Sequence, residues 1–131
     1  MTGFMIAFRN LVQGRLDAEV GQRVHPMVLP PGAQYPAATY QQISGDTERH
    51  LQGASALRRA RIQADVWAKE YDDVSRISGI LRRELNAFRG PAGDYYITDC
   101  WVSLERDAYE DGTKTYRNQT DFEVMYREKQ T

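Results

Sequence analysis

The sequence contains one cysteine, Cys100, and two histidines, His25 and His50. A lone thiol closes no intramolecular disulfide, so the fold does not depend on an oxidising compartment. Neither histidine has a Cys, His or acidic partner at metal-ligand spacing, so no metal and no cofactor are expected. Both read as loop residues. Cys100 has no motif around it and reads as a buried structural thiol, since a nucleophile needs an electropositive, partly open site. No apolar run approaches the ~20 residues needed to cross a bilayer. Met1 to Phe8 is apolar, but Arg9, Asn10 and Arg15 interrupt it, and it lacks the basic opening and small-residue cleavage site of a signal peptide. Synthesis in the cytoplasm and no membrane partner follow as expectations. A basic excess is also missing: 17 Lys and Arg stand against 18 Asp and Glu, which argues against a dedicated nucleic-acid binder. Glycine-rich phosphate loops, internal repeats and low-complexity segments are absent.

What is present suits one domain across the 131 residues. From Phe4 to Val20, the residues Met5, Phe8, Leu11, Val12, Leu16 and Val20 recur at helical spacing, and Gly21 is a plausible stop. Val24 to Pro36 holds four prolines, too many for a full ladder of backbone donors, and reads as an extended connector with a short edge strand near Pro26 to Leu29. Ala37 to Ser44 reads as a strand, followed by a long polar loop, Gly45 to Leu57. Arg58 to Ala68 is the clearest strand: Ile62, Ala64, Val66 and Ala68 alternate with Arg61, Gln63, Asp65 and Trp67.

Asp72 or Asp73 can cap a second helix, on which Val74, Ile77, Leu81, Leu85 and Phe88 share one side and which Gly90-Pro91 closes. Two strands follow, Tyr95 to Arg106 and Thr115 to Arg127, joined by an acidic hairpin, Asp107 to Lys114, with Asp111-Gly112 as its turn signal. The fold class predicted is α+β: an antiparallel sheet of about four strands with both amphipathic helices on one face.

No grouping of side chains suggests catalysis. The acidic set Glu105, Asp107, Glu110 and Asp111 reads as a solvated hairpin tip that keeps strand edges unpaired, or as an interaction surface. Arg49, His50, Arg58 and Arg59 flank the polar loop and could meet DNA phosphates or a neighbour's carboxylates. Composition and pattern alone give a soluble α+β domain without an evident active site.

Four segments together resemble the phage tail-completion, or tail-terminator, family, whose members occur in tailed phages and gene transfer agents. They are Tyr40 to Gly45 (YQQISG), Ala60 to Tyr71 (ARIQADVWAKEY), the helix from Asp72 to Phe88, and Ser103 to Tyr126 with LERDAYED and YRNQTDFEVMY. With the first helix and the proline-rich connector in order, the likeness covers nearly the whole chain as one tail-completion domain. The resemblance implies a virion structural protein of the tail or neck, not an enzyme. Its subunits would form a homo-oligomeric ring, commonly a hexamer, capping the head-proximal end of the tail tube. Partners would be further copies of the chain, the major tail tube protein and the head-completion (stopper) protein. DNA would pass through the lumen without sequence-specific binding. Arg49, His50, Arg58, Arg59, Glu105, Asp107, Glu110 and Asp111 are the interface candidates, and both polar loops are expected to order fully on assembly. Competing readings are another neck protein (head-completion or adaptor), a small α+β enzyme, which would need convergent polar groups in an apolar pocket, and a nucleic-acid-binding module.

Overall fold

The computed structural model describes residues 3–47 and 57–129. Helix α1 spans Phe4–Val20, and its buried residues Phe4, Phe8, Val12, Leu16 and Val20 fall every fourth position, with Ala7 beside them. That spacing lays one stripe along the helix. Gly21 follows in a positive-φ conformation, and its N–H reaches the Asp17 carbonyl. Helix α2 spans Tyr71–Leu85 and buries Val74, Ile77, Ser78, Leu81 and Leu85.

The ends of α2 differ from the sequence reading. Glu70 is the N-cap and makes no side-chain cap, while Asp72 and Asp73 lie inside the first turn. They favour the helix through its dipole, as Arg82 and Arg83 do in the last turn. The helix ends before Gly90-Pro91 because tertiary bonds draw the chain away. The Ala87 N–H donates to the Cys100 carbonyl, and the Asn86 Oδ1 accepts the Val102 N–H at 3.0 Å.

The sheet corrects the four-stranded antiparallel expectation. It has six strands, β1 Val24–Pro26, β2 Ala37–Thr47, β3 Arg58–Ala68, β4 Gly90–Ala92, β5 Tyr95–Glu110 and β6 Thr115–Glu128, in the order β1-β2-β3-β6-β5-β4. β1 pairs with β2 in parallel, so the sheet is mixed; every other pair is antiparallel. The short edge strand expected near Pro26 to Leu29 falls at Val24–Pro26 instead, and β4 has no counterpart in the sequence reading, because three residues are too few for a period of two to register. β1 and β4 also carry the proline or glycine that punctuates loops. His25 therefore sits in a strand. Parallel pairing follows from the connector 27–36, which carries the chain back past its own start before β2 begins.

Further boundaries shift. Gly45 to Thr47 extends β2, pairing with Ala60 to Arg58, and the rest of the expected polar loop up to residue 56 lies outside the described residues. The acidic hairpin contracts: Asp107 to Glu110 pair with Asn118 to Thr115 as strand, leaving Asp111 to Lys114 as the turn. A segment already held by a ladder has little left to order.

Both helices pack on one sheet face, where the even positions of β3 and β6 meet them. Phe8, Leu16, Ile62, Ile77, Leu85, Ile97 and Phe122 are fully buried there. Phe4 stacks on Tyr126 with ring centroids 3.6 Å apart. The α1 stripe reaches the β4–β5 turn at Gly93, where φ is +59° and an added Cβ would stand 3.0 Å from the Ala7 Cβ. Gly93→Ala combines an unfavourable backbone region with a contact that must give. It is expected to cost about 1–2 kcal/mol in chemical denaturation; an unchanged midpoint would show that α1 does not bear on this turn.

Candidate functional site

The sheet face opposite the helices carries a network of charge. It arises from alternation, because the positions between the core residues of β3 and β6 are Arg59, Arg61, Gln63, Asp65 and Trp67 facing Arg117, Gln119, Asp121 and Glu123. Arg59 Nη2 lies 3.1 Å from Glu123, and Arg61 Nη2 lies 3.0 Å from Asp121. Arg61 Nη1 also approaches Glu123 at 3.7 Å. Arg117 bridges Glu110 at 3.2 Å and Asp65 at 3.8 Å. Two tryptophans extend the layer. Arg59 lies over the Trp101 ring at 5.5 Å and Arg117 over Trp67 at 4.9 Å, separations at which a guanidinium is attracted to the ring face.

Asp65, Asp121 and Glu123 are buried beneath these long side chains. Burial pushes Asp65 up to about 6, against the opposing pull of its Gln63 hydrogen bonds and of Arg117. Chemically the face offers matched ion pairs of both signs. Three arginines and four carboxylates take part in these bridges, so little net charge is left to grip a polyanion.

The interface candidates separate into two groups at opposite corners of the sheet. Arg58 and Arg59 open β3, where they pair with Thr47 and Asp46 of β2. Arg49 and His50 lie outside the described residues. At the other corner, Glu105, Asp107 and Glu110 stand on β5 itself and only Asp111 is in the turn. Glu105 meets Arg82 of α2 at 2.8 Å. Asp107 accepts from Asn118 Nδ2 at 2.8 Å and from the Tyr71 hydroxyl at 2.7 Å, bonds that hold its carboxyl below the ordinary aspartate value. The structure thus places the acidic set along a strand edge.

Among the described residues no group of three His, Cys, Asp or Glu side chains is placed to hold a metal. Cys100 is buried, and burial, with Asp99 adding to it, pushes the thiol up to about 12. An open groove of about 640 Å³ runs between α2 and β5, lined by Arg82, Arg83, Asn86, Val102 and Glu105 among others. No described helix is long and apolar enough to cross a membrane.

Sequence reasoning missed the network formed by Arg61, Asp65, Arg117, Asp121 and Glu123. Its signal was the opposite signs on the polar positions of two alternating strands, which acquires meaning only when the β3–β6 register sets Arg61 opposite Glu123.

The family described as "Tail completion protein gp17" matches residues 10–127. No curated protein matches the chain. Among solved structures, a chain of the "Virion of native gene transfer agent (GTA) particle" has a similar fold. Its TM-score is 0.68 at 12% identity, covering 97% of this chain and 99% of that one.

Proposed function

The chain belongs to the tail completion protein gp17 family, and from that premise we propose that it is a ring-forming tail terminator. The family makes it a structural tail-completion protein of a phage or phage-like virion, and a role of that kind involves no chemistry on a substrate. The finer reading is that copies of the chain, six in the form the family resemblance implies, close a ring on the head-proximal end of the tail tube. The ring stops tube polymerisation and presents a surface to the head-completion protein, while DNA passes through its lumen. Residues 1–131 act in this reading as one tail-completion domain. Arg49, His50, Arg58, Arg59, Glu105, Asp107, Glu110 and Asp111 remain the residues proposed to meet neighbouring subunits or the tube.

The observation that carries this reading is the extent of the likeness. A fold that accounts for 99% of a virion chain and 97% of this one leaves almost nothing of either unmatched. The balanced ion pairs of the helix-free face agree with a conduit, because an uncompensated basic lining would hold DNA by its phosphates.

The test is tail assembly. Particles made without this chain are expected to carry tubes of uncontrolled length and no joined heads, and the purified chain should restore normal tails. Replacing residues 48–56 with a short Gly-Ser linker, which spares the β2–β3 register, is expected to leave a folded subunit that fails to stop tube growth. Tails of normal length assembled in the absence of the chain would refute the proposal.

A further inference from the structure

We infer that neighbouring copies join by strand addition, the free edge of β2 in one copy pairing with the free edge of β5 in the next to continue one sheet around the ring. This rests on the ring reading and specifies its interface.

Among the described residues, the two long outer strands are each covered over only part of their length. β1 pairs with Ala38 to Tyr40 of β2, and from Gln41 to Thr47 no described strand lies on its outer side. β4 pairs with Tyr95 to Ile97 of β5. The Ala87 N–H and the Asn86 side chain occupy the β5 edge at Cys100 and Val102. From Ser103 to Glu110 the outer side of β5 has no described strand partner. A bare edge of this length presents a row of backbone donors and acceptors, a ready template for another strand.

The two gaps lie on opposite edges and at opposite ends. Ser44 is level with Arg61, Glu123 and Trp101 across the sheet, whereas Ala108 is level with Arg117, Trp67 and Ala37, six positions away along β3 and β6 and on the same sheet face. A gap on one edge therefore meets the gap on the other when successive copies are offset by about six residues, or ~20 Å at ~3.3 Å per residue. Each copy contributes four long strands spaced ~4.8 Å apart, so the offset tilts the strands by about 45° from the ring axis, close to the ~35–45° of closed barrels.

Direction agrees as well. β2 runs with β6 and against β5, so a head-to-tail repeat joins β2 to β5 antiparallel and keeps the helices of every copy on the same side. Such a contact is heterologous, the kind that closes into rings. Each gap also carries apolar surface that pairing would cover: Ile43 on β2, and Leu104 and Tyr109 on β5, are each about half exposed.

Charge favours this partner over a symmetric one. The β5 gap bears Glu105, Asp107 and Glu110 against one arginine, Arg106, so two β5 edges brought together would set acid against acid. The offset instead brings Arg58, one strand in from the β2 edge, to the level of Glu105 on the same sheet face.

Cysteine cross-linking tests the register. In the full-length chain, Ser44→Cys is combined in turn with Glu105→Cys, Arg106→Cys, Asp107→Cys and Ala108→Cys, and assembly is followed by native mass with and without tail-tube protein. Adjacent antiparallel strands place Cα atoms within bridging distance, and buried Cys100 does not compete. At least one pair should give an oxidised ladder running up to ring size, while each single-cysteine variant gives none. Dimers from a single-cysteine β5 variant would overturn the proposal in favour of symmetric β5 pairing. Rings with no cross-link from any pair would overturn it while sparing the ring reading. Monomers under every condition would overturn both.

Discussion

Phe8→Ala is expected to destabilise the protein by about 3–5 kcal/mol, the range for emptying a large aromatic site in a close-packed core. Phe8 is fully buried in the second turn of α1. It packs against Phe4 at 6.1 Å and Phe122 at 6.5 Å between ring centroids. No backbone shift fills that space cheaply, because the helix above and the sheet below are each fixed by their own hydrogen bonds. The loss also reaches the edges of the sheet, since α1 contacts both short strands, β1 and β4. A denaturation midpoint measured beside Ile6→Ala, a change at a 40% exposed site on the same helix, separates the core effect from helix propensity. Ile6→Ala should stay within about 0.5 kcal/mol of the parent. If the two substitutions cost the same, α1 is not docked as described.

Asp65→Asn is expected to stabilise the protein at neutral and alkaline pH by about 2–3 kcal/mol, an unusual sign for loss of a charge in an ion-paired network. The carboxyl is 4% exposed, and burial raises it from 3.8 to about 6. Attraction to Arg117 is too weak to offset this: that guanidinium stands 3.8 Å away, is closer to Glu110 at 3.2 Å and lies over Trp67. A group that binds its proton more tightly when folded than when unfolded makes stability fall as pH rises between those two values. The contribution of Asp65 is therefore full below about pH 4 and is lost as pH passes about 6, the difference amounting to roughly 3 kcal/mol. Asparagine keeps an oxygen for Gln63 Nε2 and removes the charge. The gain over the parent should shrink to nearly nothing at pH 4. Asp107, whose value is lowered, acts in the opposite sense and weakens the fold as pH drops, so the comparison must be made between the two proteins at each pH. A constant difference from pH 4 to 8 would show that Asp65 is not held in this environment.

The parts legible in sequence were those written in a repeat long enough to be read. Helix α1 falls at Phe4–Val20 and strand β3 at Arg58–Ala68, both at the expected residues, because each carries its apolar residues on one face for at least ten positions. β6 ends one residue later than expected for the same reason. β1 and β4 carry no such signal, and their pairing depends on partners fourteen or fewer residues away only through the path of the chain. The candidate residues were legible as charged clusters, but their grouping was not. Glu105, Asp107 and Glu110 belong to a strand edge because β5 runs on past Arg106, which β6 dictates by pairing with it as far as Glu110.

Local pattern settled which faces must be buried: the stripe from Phe4 to Val20, the even positions of β3 and β6, and the Val74 to Leu85 side of α2 each demand cover from water. Tertiary structure alone decided that the sheet is mixed, that its long outer strands have described strand partners on their outer sides over only part of their length, and that arginines and carboxylates sixty residues apart share one face. Burial is a property of single side chains and their neighbours in sequence, whereas strand order and register are set by backbone hydrogen bonds between distant segments, which no local period encodes.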